Sequence, residues 1–323
     1  MNKSIKILIN YIFGPVLFVI LSISIYHQII QQPDLLLRWQ QIKKSWQDPF
    51  FIFAILLVFV NWGVEAIKWK KLINPLEKIT LLTAYKSVLA GSSITLLTPN
   101  RIGEYGGRIL FLKNNNRTSA ISISILGGIS QLMITLIAGC FGIVFLTTHQ
   151  IPMDLAKYVN PLILIISSIT AIILLILFFY HRSFINLIEG YGKIGKIKNH
   201  LSMLYLYNRK ELLRILFFSF FRYLIFILQY LLLLKVMKVE INTMTSMSLI
   251  SIFYLLMAIA PTIGMIELPV RATLSLLILG VYSNNTLGIQ AATFIIWIIN
   301  IVVPAIIGSV FVIKNKLYND EFY

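Results

Sequence analysis

Acidic residues are scarce in these 323 residues: 12 Asp+Glu against 28 Lys+Arg, within a charged fraction of only 12%. That is about half of the roughly 25% usual for soluble domains. A soluble fold of this size could not hide a side-chain complement that is 58% hydrophobic, so most of it must face lipid. Polar segments large enough to form a nucleic-acid-binding domain are missing, so nucleic acid is not an expected partner despite the net charge of +16. One cysteine, Cys140, excludes an intrachain disulfide. The four histidines, at 27, 149, 181 and 200, are scattered and form no metal-ligand spacing. Walker, HExxH and GxSxG patterns are absent, so neither an ATPase, a hydrolase nor a cofactor enzyme is indicated, and no cofactor is expected.

What is present is apolar sequence in long runs. A spanning helix needs about 20 apolar residues. Six runs qualify, at about 7–26, 50–67, 119–147, 159–180, 212–234 and 287–313; the one at 50–67 is short and is expected to extend past Glu65. The first follows Lys3 and Lys6 without a small-residue cleavage pattern and reads as an uncleaved signal anchor. Two further regions, about 80–112 and 244–283, are too long for one crossing and are interrupted by Pro and Gly. Lys and Arg concentrate in the 68–79, 113–118 and 181–211 connections and in the tail, which places these on the cytoplasmic side of the cell membrane. The segment 27–49 is the exception; Leu35, Leu36, Trp39, Ile42 and Trp46 give it one apolar face, as in an interfacial helix. Trp39, Trp46, Trp62 and Trp69 read as interfacial anchors.

With this orientation each broken region enters and leaves on one side. The expected fold is an all-α polytopic membrane protein, a single integral membrane domain over 1–323. It has six full spans, two re-entrant helical hairpins and both termini in the cytoplasm. The hairpin tips, near Pro99–Glu104 and Pro261–Glu267, share Pro, then Ile-Gly, then Glu with Arg four residues later. The flanking order of elements also matches, giving repeat units at about 50–147 and 212–313 with opposite topology, the arrangement of many transporters.

Ionisable groups deep in a bilayer cost about 2.5–3.5 kcal/mol each and need a reason to be there. The candidates are Arg101, Glu104, Arg108, Arg222, Glu267 and Arg271. Glu104 and Arg108, and likewise Glu267 and Arg271, stand at i,i+4 and share a helix face. Two compatible readings are open: buried ion pairs that hold each hairpin, or arginines that bind an anion in a central cavity with the glutamates orienting them. Pro99, Gly103, Pro261 and Gly264 would shape the tips, and Gly106 and Gly107 would allow close packing. Arg222, inside its span, is read either as snorkelling to the cytoplasmic surface or as contacting substrate. Gln131, Gln229 and Asn300 are expected to hydrogen-bond between helices.

The stretch from Gly91 through Thr98-Pro99-Asn100-Arg101-Ile102-Gly103-Glu104 to Arg108 resembles a known signature. So does Ala260-Pro261-Thr262-Ile263-Gly264 through Glu267 and Arg271, followed by Gln290-Ala291-Ala292-Thr293. Both are similar to the transmembrane, flippase-like region of lysylphosphatidylglycerol synthases. Asn100 stands where that family commonly has Gly, and Met265-Ile266 and Pro269 depart from its Gly-rich second tip. The resemblance implies lipid handling. The cytosolic domain that makes the aminoacylated lipid has no counterpart here, so synthase activity is not implied. A lipid translocase binding an anionic phospholipid or polyprenyl-phosphate headgroup between the hairpins is the leading expectation. A membrane-embedded transferase on a lipid-linked substrate, with Glu104 or Glu267 as base, and a non-catalytic membrane partner of a separate cytosolic synthase are the alternatives.

Overall fold

The computed structural model describes residues 35–95, 102–148, 161–183, 202–260 and 264–320, together with Ile23 and Thr98. Every regular element among them is helical. In chain order these are α1 (Leu35–Lys44), α2 (Pro49–Ile73), α3 (Leu81–Thr95), α4 (Gly103–Ile109), α5 (Arg117–Thr148), α6 (Pro161–Phe179), α7 (Arg209–Val236), α8 (Thr243–Ile259), α9 (Gly264–Leu279), α10 (Thr286–Trp297) and α11 (Val303–Asp320). A π-helical segment, Ile298–Val302, joins α10 to α11 without a break.

Five helical stretches are long and apolar enough to cross a membrane: Pro49–Ile73, Asn114–Thr148, Pro161–Phe179, Arg209–Val236 and Thr286–Asn315. They coincide with five of the six expected spans. The run at 7–26, apart from Ile23, and the tip residues Pro99, Arg101 and Pro261 lie outside the described residues. The short span at about 50–67, expected to extend past Glu65, continues to Ile73. At about 1.5 Å per residue its 25 residues reach about 37 Å, longer than a hydrocarbon core of about 30 Å. Lys68, expected in a cytoplasmic loop, is therefore inside the helix.

Polar caps set the helix starts. Asp48 accepts from the Phe50 amide at 2.8 Å, with Pro49 in the first turn of α2. Asn208 and Glu211 form a reciprocal capping box at α7. Asn242 caps α8 and Asn285 caps α10. The π segment has its own cause. Pro304 has no N–H and its ring would clash with the carbonyl four residues back, so the turn before it widens and Val303 N–H reaches the Ile298 carbonyl.

The core has two main apolar clusters. One, with Leu249, Phe253 and Tyr230, joins α5, α7, α8 and α10; the other, with Val88, Trp69 and Met133, joins α2, α3 and α5. Between the first and second clusters, α2 packs along α7. Helix α3 packs on α4 and on α11, while α8 packs on α9 and on α5. Exchanging α2–α5 with α7–α11 leaves these pairings unchanged. Helices α3 and α4 run antiparallel: the Ser87 hydroxyl donates to the Arg108 carbonyl at 2.5 Å, and a Cβ on Gly107 would lie 2.4 Å from the Ala90 carbonyl oxygen. Glycine is required for that approach. Helix α9 carries Pro269 inside it and still keeps Glu267 and Arg271 on one helix. Helix α1 packs on α10, with Ile42 against the core and Trp39 and Trp46 exposed.

Candidate functional site

Glu65 lies at the centre of a buried charge cluster. It is on α2, and Asn61, Glu65 and Lys68 stand at i, i+4 and i+7 on one face. Its Oε1 accepts from Arg108 Nη2 of α4 at 2.6 Å, and its Oε2 accepts from Arg222 Nη1 of α7 at 2.7 Å. Lys68 Nζ is 2.9 Å from the same Oε2. Arg108 also pairs with Glu104 one turn before it in α4. Helices α2, α4 and α7 thus meet at one carboxylate.

Aromatic rings flank the two guanidinium groups. Arg108 lies 5.4 Å from the centroid of Trp69, and Arg222 lies 5.3 Å from Trp62 and 5.5 Å from Phe226. Both tryptophans are buried, so the anchoring role expected for Trp62 and Trp69 is replaced by stacking on arginines. Arg222 does not snorkel away from the network: its Nε donates to Asn61 Oδ1 at 2.8 Å. The Asn61 amide then donates to Asn300 in the π segment at 3.1 Å. Asn300 donates to Gln229 at 3.2 Å, and Gln229 donates to the Ala54 carbonyl at 2.9 Å. The interhelical bonds expected of Gln229 and Asn300 are present, and the widened turn carries one of them. On the other flank Lys68 donates to Ser219, which shares a hydrogen bond with Ser130 of α5.

With each group in its ordinary charged form, Lys68, Arg108 and Arg222 oppose Glu65 and Glu104, leaving one positive charge in excess. The Glu65 side chain is 1% exposed and that of Arg108 4%, whereas Arg222 is 13% and Glu104 28% exposed, so access to the cluster is from the Arg222 and Glu104 edges. Three buried donors, Arg108 Nε, Trp62 Nε1 and Trp69 Nε1, have no hydrogen-bond partner among the described residues. Two guanidinium groups beside one carboxylate form a forked donor set of the kind that suits an oxyanion.

Arg271 forms a second group. Its Nε and Nη2 both donate to Glu267 Oε1, at 3.0 and 2.7 Å, and both side chains are mostly buried. Nearby in the same half, the Tyr230 hydroxyl meets Thr293 at 2.6 Å, joining α7 to α10. Among the described residues, the ion pairs of this group and of the Glu65 cluster share no member. Gly103 opens α4 with its amide bonded to Thr98 Oγ1 at 2.8 Å, and Gly264 opens α9. Of the expected residues, the structure therefore joins Glu104, Arg108 and Arg222 around Glu65 and pairs Glu267 with Arg271. Glu65, Lys68 and Asn61 were missed as site residues. Their helical spacing within an apolar run was the available signal. Among the described residues no group of three His, Cys, Asp or Glu is placed to hold a metal.

No curated protein matches the chain. The family model described as the lysylphosphatidylglycerol synthase TM region matches residues 19–308, nearly the whole chain, including every residue of the two ion-paired groups. Together with the apolar spanning helices, that match makes this a multi-pass membrane protein of lipid-related function, and the chain belongs to the lysylphosphatidylglycerol synthase transmembrane-region family.

Proposed function

We propose that the protein is a lipid translocase of the cell membrane and that the Glu65 cluster receives an anionic lipid headgroup. The observation that carries the reading is the buried cluster with one excess positive charge and unpaired donors. An uncompensated charge at that depth is costly, and a phosphate offsets it. Arg222, at the accessible edge, makes first contact, and Arg108 shifts hydrogen bonds from Glu65 or Glu104 to the phosphate. Because carboxylates already hold both arginines, the headgroup exchanges one anionic partner for another. Binding then compensates desolvation without trapping the lipid, while its acyl chains stay in the hydrocarbon. Arg101 joins this set as a proposed phosphate ligand, and Glu267–Arg271 as the corresponding group of the second hairpin.

In this reading α3–α4 and α8–α9 are re-entrant hairpins of an inverted repeat, with both chain termini cytoplasmic. Support comes from the exchange-symmetric packing and from close glycine contacts at matching interfaces. A Cβ on Gly308 of α11 would lie 1.9 Å from the Leu89 carbonyl of α3, and one on Gly142 of α5 would lie 2.7 Å from the Ser248 carbonyl of α8. The test is transbilayer movement of labelled phospholipid in proteoliposomes. Protein-dependent movement that falls in Arg222→Gln supports the reading; no movement of phospholipid or polyprenyl-phosphate lipid under any ion gradient refutes it.

A further inference from the structure

At the far end of α7 from Arg209 and Lys210, the chain turns into α8 around a groove of about 810 Å³. One wall is apolar, formed by Leu228, Leu231 and Leu232 along α7. Lys235 and Lys238 also line it, with Asn242 and Ser246 from the start of α8. Glu240 also lines it, but among the described residues neither lysine is in an ion pair with it. Lys235 Nζ sits 3.9 Å over the Phe50 ring at the start of α2. The positive-inside tendency explains Lys70, Lys71 and Arg209 at the other end of these helices. It does not explain two lysines here.

The backbone adds an independent observation. Lys238 has φ of 55°, and among the described residues it is the one non-glycine residue with positive φ. It follows the C-cap of α7, where Val239 N–H bonds back to the Leu234 carbonyl, the position at which helices usually place glycine. A lysine there is strained, and the surroundings enforce it: the buried Asn285 amide donates to the Met237 and Lys238 carbonyls at 2.9 and 3.0 Å. Strain held in place by a dedicated clamp marks a residue kept for its side chain.

We infer that the α7–α8 turn is a binding site for the phosphate of an anionic phospholipid, with Lys235 and Lys238 on the phosphate and an acyl chain along the α7 leucines. The apolar wall selects a lipid over a soluble phosphate. The inference stands apart from translocation and its test involves no transport. Full-length protein is placed in phosphatidylcholine nanodiscs of increasing phosphatidylglycerol content and the apparent affinity is read from the rise in Tm, every protein being compared in an Arg222→Gln background that takes the Glu65 cluster out of the readout. Lys238→Gly relieves the strained turn while removing the cation. It should melt no lower than wild type yet bind about fivefold more weakly, and Lys235→Gln with Lys238→Gly about 30-fold more weakly. Wild-type affinity in the double variant overturns the site, and so does a Lys238→Gly protein that melts lower, since the lysine would then serve the fold. The single variant decides if the double one does not fold. Equal protection by inorganic phosphate in phosphatidylcholine alone overturns the lipid assignment.

Discussion

Replacing Glu65 with Gln removes the one carboxylate shared by Arg108, Arg222 and Lys68. Three buried cations would then face Glu104 alone. Removing one partner of a buried pair typically costs about 3–5 kcal/mol, because the charge left behind has lost its solvent and its counter-ion together. The amide oxygen of Gln can still accept one arginine hydrogen bond, which favours the lower end, about 3 kcal/mol. Equilibrium unfolding of the purified protein measures this. Lys68→Met in the same background removes a surplus cation and should recover at least about 1 kcal/mol, as residues sharing one network are not additive. A Glu65→Gln protein within about 0.5 kcal/mol of wild type, or strict additivity with Lys68→Met, would refute the assignment of Glu65 as the hub.

Arg222→Lys keeps the charge but loses the fork that serves Asn61 and Glu65 together, so lipid movement should fall while the fold survives, as read by transport rate beside a melting curve. Gly107→Ala forces a Cβ against the backbone of Ala90 and Gly91 and should destabilise the α3–α4 hairpin by about 1–3 kcal/mol, measured by unfolding. Tyr207, outside the spans, donates to the Leu72 carbonyl, and burial first and the Glu211 charge second push its phenol above the ordinary value of 10.0. Its neutral form is favoured in the fold, so the stability it contributes is complete below about pH 10 and is lost as pH rises further. The alkaline loss in a pH series of melts should be smaller in Tyr207→Phe.

The spans were legible because a long apolar run has one stable solution in a bilayer. The glutamate–arginine pairs within α4 and α9 were legible for a similar reason, since i,i+4 spacing on a helix dictates contact. Glu65 was not, and the cause is specific. Although the 50–67 span was expected to extend past Glu65, counting Lys68 with the basic connection separated it from Glu65, so their shared helix face went unread. The stripe Asn61, Glu65, Lys68 continues the helix and points to a buried partner. Arg222 shows the other gap. It stands at the middle of α7, and its local sequence does not say which neighbouring helix supplies its partner. Only the packing of α7 on α2 places Asn61 and Glu65 within its reach.

The central claim is that the Glu65 cluster handles an anionic lipid headgroup. Its most direct test is the rate at which a fluorescent anionic phospholipid crosses proteoliposomes containing wild-type or Arg222→Gln protein, with matched incorporation and helical content. The account predicts movement that depends on the wild-type protein and drops at least about tenfold in the variant, the loss of one charge-assisted contact. Equal rates in the two proteins would contradict it.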